Sequence, residues 1–243
     1  MKKAIILGIF AIAAISFWSC SKEAPSKDSA QIAKEALEQV KEAPTLESAS
    51  IEDLMATWAN KSIQLDTEKP TFKQFVASIC AQHPEFIGNY ETLRYLSDEA
   101  GYKGTDKYEV NDNKESNFIK FAPKVNDKEL TDPADTIKCV VSYQTWEFDN
   151  GKQLVGVLYQ RNEDYLVNFY EFLPLKKELK PNTVFADNVQ HNINKAVQYG
   201  YKDVIFTGGL NIEFVKQKDG KETYYYDHWN GKNFEHVVHE STR

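Results

Sequence analysis

Apolar residues recur three and four positions apart through much of the chain up to residue 99, which is the spacing of an amphipathic helix. One such stripe follows Thr71, which together with Gln74 has the pattern of a capping box. Its members are Phe72, Phe75, Val76, Ile79 and Cys80. The same spacing predicts further helices over 28–43, 50–58 and 86–96. Because these helices have apolar faces, we expect them to cover another layer.

From about residue 105 the apolar positions alternate, which is the period of a β-strand. Three stretches rich in β-branched and aromatic residues predict a three-stranded meander over 136–148, 153–160 and 165–172. Asn150 and Gly151 favour a tight hairpin turn between the first two strands. A helix is predicted over 186–199, and a second meander with Gly-Gly, Asp-Gly and Asn-Gly turns is predicted over 204–238.

The order of these elements predicts an α+β fold. We expect the two antiparallel β-meanders to form one sheet, packed against the short amphipathic helices on one face. The predicted boundaries are a leader over 1–19, a tether with a peripheral helix over 20–49, and a single α+β domain over 50–243. That domain is expected to be helical over 50–100 and β-rich over 105–243.

The first twenty residues have the layout of a secretory signal. Lys2 and Lys3 precede an unbroken apolar run from Ala4 to Ile15, and Cys20 follows a few residues later. This apolar run is too short to cross a bilayer, which needs roughly 20 apolar residues. We therefore expect the leader to be removed during export.

The cysteine that ends this segment makes it resemble the signal of a bacterial lipoprotein. In that family the cysteine is acylated and becomes the first residue of the mature chain, so the resemblance implies that Cys20 is the lipid anchor. Ser19 and Phe17 are consistent with the family pattern, whereas Trp18 departs from it. The alternative is an ordinary secretory signal with a chance cysteine. Since Ser21 rather than Asp follows Cys20, the resemblance implies an outer-membrane lipoprotein of the cell envelope, on either the periplasmic or the surface side.

The charge balance narrows the range of partners. The net charge of the chain is -7, and removing a leader with two lysines and no acid makes the rest more negative. Nucleic acid is therefore excluded as an expected partner, because its phosphates require clustered Lys and Arg. Electrostatic binding of the chain as a whole to anionic lipid is also disfavoured, so membrane attachment is expected to depend on the N-terminal acyl chains.

No pattern in the chain predicts a catalytic residue, a metal site or a cofactor. Cys80 and Cys139 are expected to be buried thiols, with a disulfide between them as the alternative. His236 and His239 are three positions apart on a predicted strand, so they should face opposite sides and not converge with His228 on a metal ion.

Aromatic residues provide the only candidates for ligand binding. Trp146, Tyr226 and Trp229 lie on predicted strands, where an exposed face would offer a stacking platform to a sugar or a peptide. The alternative, which we favour, is that these aromatic side chains fill the boundary between the helices and the sheet. An exposed patch of several hundred Å² would be needed for the first interpretation.

The expected function is that of a non-catalytic binding module for a protein, a peptide or a glycan at the bacterial envelope. The first alternative is a secreted hydrolase of an envelope or dietary polymer, which would need a pocket with convergent carboxylates or histidines. The second is a structural subunit of an envelope complex, which would expose a large apolar surface.

Replacing Cys20 tests the lipoprotein prediction. We expect the Cys20→Ser protein to lose all labelling by a palmitate analogue in growing cells, because its thiol is the predicted site of acylation. The wild-type protein, expressed in parallel, serves as the positive control. Equal labelling of the two proteins would refute the assignment.

Overall fold

The protein, in the form of a computed structural model, is described over residues 26–44, 61–113, 115–124, 139–218 and 221–242. The predicted leader, Cys20 and the predicted helix at 50–58 lie outside these residues. The α+β prediction is confirmed, since the described residues form both helices and two antiparallel sheets. The helices are α1 (Ser29–Leu37), α2 (Phe72–Cys80), α3 (Ile87–Ser97) and α4 (Thr183–Gln198), with a short 3-10 helix at Pro174–Lys176.

Eleven strands are present in the described residues. Seven form one sheet in the order β1-β7-β6-β5-β4-β3-β2, and four form a second sheet in the order β11-β10-β9-β8. The first set is β1 (Ile63–Gln64), β2 (Tyr108–Asn113), β3 (Phe118–Pro123), β4 (Cys139–Glu147), β5 (Gln153–Arg161), β6 (Asp164–Leu173) and β7 (Glu178–Pro181). The second set is β8 (Asp203–Phe206), β9 (Asn211–Lys218), β10 (Lys221–Trp229) and β11 (Phe234–Thr242).

Several local predictions are confirmed by these elements. Thr71 and Gln74 form the predicted capping box at the start of α2, with reciprocal bonds between side chain and backbone. Gly151, in the predicted turn between β4 and β5, has a φ of 78°, a conformation that glycine adopts without steric cost. The predicted helix at 186–199 is present as α4, although it begins three residues earlier.

The helices α2 and α3 cover one face of the seven-stranded sheet, and α1 packs against these two helices, so that all three contribute to the first of two cores. Their apolar stripes meet the alternate side chains of the central strands, among them Val141, Tyr143 and Val157. The aromatic ring of Phe75 in α2 contacts that of Phe172 in β6 at 5.1 Å between centroids. α2 and α3 thus pack against the sheet through the apolar stripes that their spacing predicted.

The opposite face of the seven-stranded sheet is covered by the second sheet and by α4. Trp146, Leu154 and Phe169 of the first sheet form a second core with residues such as Ile193 of α4 and Phe214 of β9. The predictions that both meanders form one sheet and that all the helices pack on one face of it are therefore wrong. The reason is that β4, β5 and β6 are apolar on both faces, so helices on one face leave the other in need of a second layer.

Side-chain hydrogen bonds connect the two sheets at two points along β4. The side chain of Gln144 in β4 is fully buried and accepts a hydrogen bond from the N–H of Gly208 at 2.9 Å. Its amide nitrogen donates to the carbonyl of Gly209, so one side chain fixes the turn between β8 and β9. At the second point, the indole N–H of Trp229 donates to the carbonyl of Glu147 at 2.8 Å.

Gly156 of β5 allows the aromatic rings of the second core to approach the sheet closely. A Cβ atom at this position would lie 2.6 Å from Trp146 and 2.9 Å from Phe169. We therefore expect Gly156→Ala to lower the free energy of unfolding by about 1–3 kcal/mol through overpacking. Urea unfolding measures this change. Gly209→Ala is the control, because its Cβ would be at an ordinary 3.6 Å from its nearest neighbour; equal effects of the two substitutions would contradict the tight packing.

Candidate functional site

Two of the three candidate aromatic residues are buried in the second core. Trp146 is 3% exposed and Trp229 is 2% exposed, and both rings contact Phe234 of β11. The hypothesis of an exposed stacking platform is wrong for these two residues, because the second sheet covers the face on which Trp146 lies. Our alternative interpretation, that the aromatics fill an internal boundary, accounts for both, although this boundary is formed by two sheets together with α4.

Tyr226 lies on the other side of the second sheet from Trp229. In β10 the side chains of Tyr225, Asp227 and Trp229 are buried, and Tyr226 between them is half-buried on the opposite face. The structure therefore does not bring the three predicted ligand-binding residues together. Tyr226 remains a candidate by itself.

The cysteines Cys80 and Cys139 are buried free thiols, as predicted. The Cys80 thiol donates to the hydroxyl of Tyr143 at 3.2 Å, and Cys139 is 3.8 Å from the hydroxyl of Tyr159. Burial raises the pKa of Cys80 to about 12 and the pKa of Cys139 to about 11. Because the thiolate is the reactive form, neither residue is suited to act as a nucleophile.

A buried carboxylate and a histidine form a pair that the sequence did not predict. Asp227 is fully buried, and its two oxygens accept hydrogen bonds from Nδ1 of His236 at 2.8 Å and from the amide of Asn192 at 3.0 Å. Asp227 thus links β10 to β11 through His236 and to α4 through Asn192. His228 instead contacts Asn211 at 2.8 Å, and since it alternates with Asp227 it faces the other side of the sheet.

This pair does not form part of a larger reactive cluster in the residues that the structure describes. No group of three His, Cys, Asp or Glu side chains there is placed to hold a metal ion. The bonds from Asn192 and His236 occupy both oxygens of the Asp227 carboxylate, which satisfies a charge that would be costly to bury alone. The arrangement explains how α4 is fixed to the second sheet.

A surface cavity lies between β6 and the first half of α4, and we name it the β6–α4 groove. It is lined by residues 166–170 of β6, by 181–183, and by Ala186, Asp187 and Gln190 of α4. Its volume is about 130 Å³. Pockets for drug-sized ligands occupy about 300–1,000 Å³, so this groove has room for one small side chain or amide group.

The groove exists because β7 pairs with only part of β6. The register of these strands runs from Tyr170 to Leu173, and no other strand of the described residues pairs with the preceding half of β6 on this side. The backbone groups of residues 165, 167 and 169 point to this open edge, since alternate residues of a strand bond to the same side.

Gln190 of α4 takes the place of the missing strand over one peptide unit. Its side-chain oxygen accepts from the N–H of Val167 at 3.0 Å, and its nitrogen donates to the carbonyl of Tyr165 at 3.0 Å. Further along, the N–H of Asn182 donates to the carbonyl of Phe169 at 2.7 Å. Between these contacts, the carbonyl of Val167 and the N–H of Phe169 lie on the same edge, inside the groove.

Sequence reasoning missed both residues that shape the groove. Asn182 caps α4 by accepting from the N–H of Phe185 at 3.2 Å, and an Asn directly after Pro181 is a recognisable start signal. Gln190 carries no such signal, because a glutamine beside the buried Val189 is ordinary on an amphipathic helix. Its role depends on a strand more than twenty positions earlier in the chain.

No protein-family model, curated protein or solved structure matches the chain. The helices within the described ranges are all too short or too polar to span a membrane.

The burial of both cysteines predicts their chemical behaviour. In a Cys20→Ser protein we expect no reaction of a thiol reagent with the folded chain at mildly alkaline pH, and reaction of both thiols in urea. The raised pKa values keep both thiols protonated in the folded chain, and burial blocks the reagent. Absorbance of the released reagent reports the labelling. Equal rates for folded and unfolded protein would contradict the burial of the two thiols.

Proposed function

We propose that the chain is a bacterial envelope lipoprotein, anchored through Cys20, whose domain binds an extended peptide segment in the β6–α4 groove without catalysing a reaction. The observation that carries the binding proposal is the open edge of β6 inside the groove. The lipid anchor is supported by the leader and by the small polar residues that follow Cys20.

A peptide suits the groove because its backbone complements the open edge. Peptides often bind by adding a strand to such an edge, where main-chain hydrogen bonds give affinity and small pockets select side chains. The N–H of Phe169 donates and the carbonyl of Val167 accepts, so together they match the C=O and N–H of one residue in a ligand strand that runs parallel to β6. The cavity beside them has space for one small side chain of the ligand.

The charge of the groove favours a ligand with a positive or neutral side chain. Asp187 is the carboxylate that lines it, and this residue is exposed at the rim. A basic or amide side chain next to the bound peptide unit would therefore be attracted, whereas an acidic one would be repelled. The negative net charge of the chain acts in the same direction.

A glycan is the less favoured ligand. Sugar-binding surfaces of the kind considered from the sequence need exposed aromatic rings, and Trp146 and Trp229 are buried. A hydrolase is also less favoured, because glycoside hydrolysis needs two facing carboxylates and Asp187 is the one carboxylate lining the groove.

A blocking substitution in the groove tests the binding proposal. We expect the full chain to enrich members of a random peptide library displayed on phage, and Thr183→Trp to weaken binding of the enriched peptides by about tenfold or more, equivalent to ~1.4 kcal/mol. Thr183 is an exposed residue that lines the groove, so the added ring fills the cavity without disturbing a core. Fluorescence anisotropy of labelled peptides gives the dissociation constants.

Asn188→Trp is the matched control, since this residue is exposed on the same helix but does not line the groove. It should bind the enriched peptides as the wild type does.

When the wild-type protein binds these peptides, the backbone amide resonances of Val167 and Phe169 should shift. Failure to enrich any peptide, or equal binding by both tryptophan variants, would refute the proposal. Cleavage of the enriched peptides would support a hydrolase instead.

A further inference from the structure

The turn that joins β6 to β7 holds an apolar side chain out in solvent. Leu175 is 92% exposed at the centre of the 3-10 helix, and Pro174 and Lys176 beside it are exposed as well. Leucine is seldom left so uncovered, although single exposed apolar residues do occur. A second observation is therefore needed before this turn can be given a role.

That observation is how Ser26 and Lys27 are bonded to the rest of the domain. The hydroxyl of Ser26 donates to Asp66 at 3.0 Å, and the N–H of Lys27 donates to the same carboxylate at 2.6 Å. The carbonyl of Lys27 also accepts from the side chain of Gln74 at 2.7 Å. Three hydrogen bonds thus fix the point at which the predicted tether joins the domain.

This point lies at the same end of the molecule as the turn. Leu65, the neighbour of Asp66, donates its N–H to the carbonyl of Lys177 at 2.7 Å. Lys177 closes the 3-10 helix that carries Leu175. The path from Ser26 to the exposed leucine therefore runs through directly bonded neighbours.

The distance to the anchor is short. Ser26 is six residues after Cys20. Even a fully extended chain gains at most about 3.6 Å per residue, so the attachment point stays within about 22 Å of an acylated Cys20. With Cys20 held in a lipid leaflet, this end of the domain cannot move far from the membrane surface.

We propose that the β6–β7 turn rests on the lipid surface, with Leu175 in the interfacial region and Lys176 beside it among the headgroups. The inference depends on the proposed acylation of Cys20. A single leucine binds a membrane weakly, but a short tether makes the contact intramolecular and gives it a high effective concentration.

The local charges favour lipid as the occupant. Lys176 and Lys177 follow Leu175 directly, and Lys180 is in the same hairpin. Long basic side chains next to an apolar one are typical of segments that lie at a membrane interface. Glu178 is the acid of this hairpin, and the nearby Asp66 is occupied by Ser26 and Lys27.

A tryptophan in the turn tests the contact. The full chain carrying Leu175→Trp is expressed in a bacterial host, purified in detergent and reconstituted into vesicles of phosphatidylethanolamine and phosphatidylglycerol with brominated acyl chains. We expect its extra fluorescence, after subtraction of the wild-type signal, to shift to shorter wavelength and to be quenched by bromine. Leu210→Trp is the control, because Leu210 is also exposed, at 53%, but lies in the turn before β9 of the second sheet.

The outcomes separate the two proposals. If the protein floats with the vesicles but the two tryptophans are quenched equally, the anchor stands and the contact of the turn with lipid is refuted. A shift to shorter wavelength without quenching means that protein covers Leu175, which also refutes the contact. If the protein does not float and its N-terminus has no acyl mass, both the anchor and the contact are refuted.

Discussion

Strands β4, β5 and β6 are buried on both faces, and the remaining elements are arranged to cover them. Along β5, Val155 and Val157 belong to the first core, whereas Leu154 and Leu158 belong to the second. A sheet of this kind must be the central layer of a domain, because neither face can be left to solvent without losing about 25 cal/mol for each Å² of apolar surface. Helices cover one face, and the second sheet together with α4 covers the other.

The β6–α4 groove follows from how this central layer ends. β7 is too short to pair with all of β6, and α4 crosses the remaining edge. A buried or half-buried backbone edge needs hydrogen-bond partners, and the amide of Gln190 supplies them over one peptide unit. A side chain that imitates a backbone amide marks a position where a real strand would also bind. The peptide-binding proposal rests on this chemical equivalence.

The sequence predicts the local features of this fold well and the long-range ones poorly. The capping box at Thr71 and the turn at Gly151 depend on residues a few positions apart, so they can be found without a structure. The division into two sheets depends on which meander edges pair, and the turn signals do not report that. The sequence leaves two interpretations of Trp146 for the same reason, because an apolar residue on a strand has the same pattern whether its face is covered by helices, by a sheet or by a ligand. Gln190 was missed because its partner is distant in the chain.

The two proposed surfaces are carried by a single strand, and this links them physically. Leu175 is two residues after the end of β6, and the groove is centred about five residues before that end, near Asn168. Since a strand rises about 3.3 Å per residue, the groove opens about 17 Å above the turn. A paired strand in the centre of a packed domain does not bend freely. Fixing the β6–β7 turn at the membrane surface therefore also sets the distance of the β6–α4 groove from that surface. With the turn on lipid, the proposed peptide would bind in a layer close to the membrane surface.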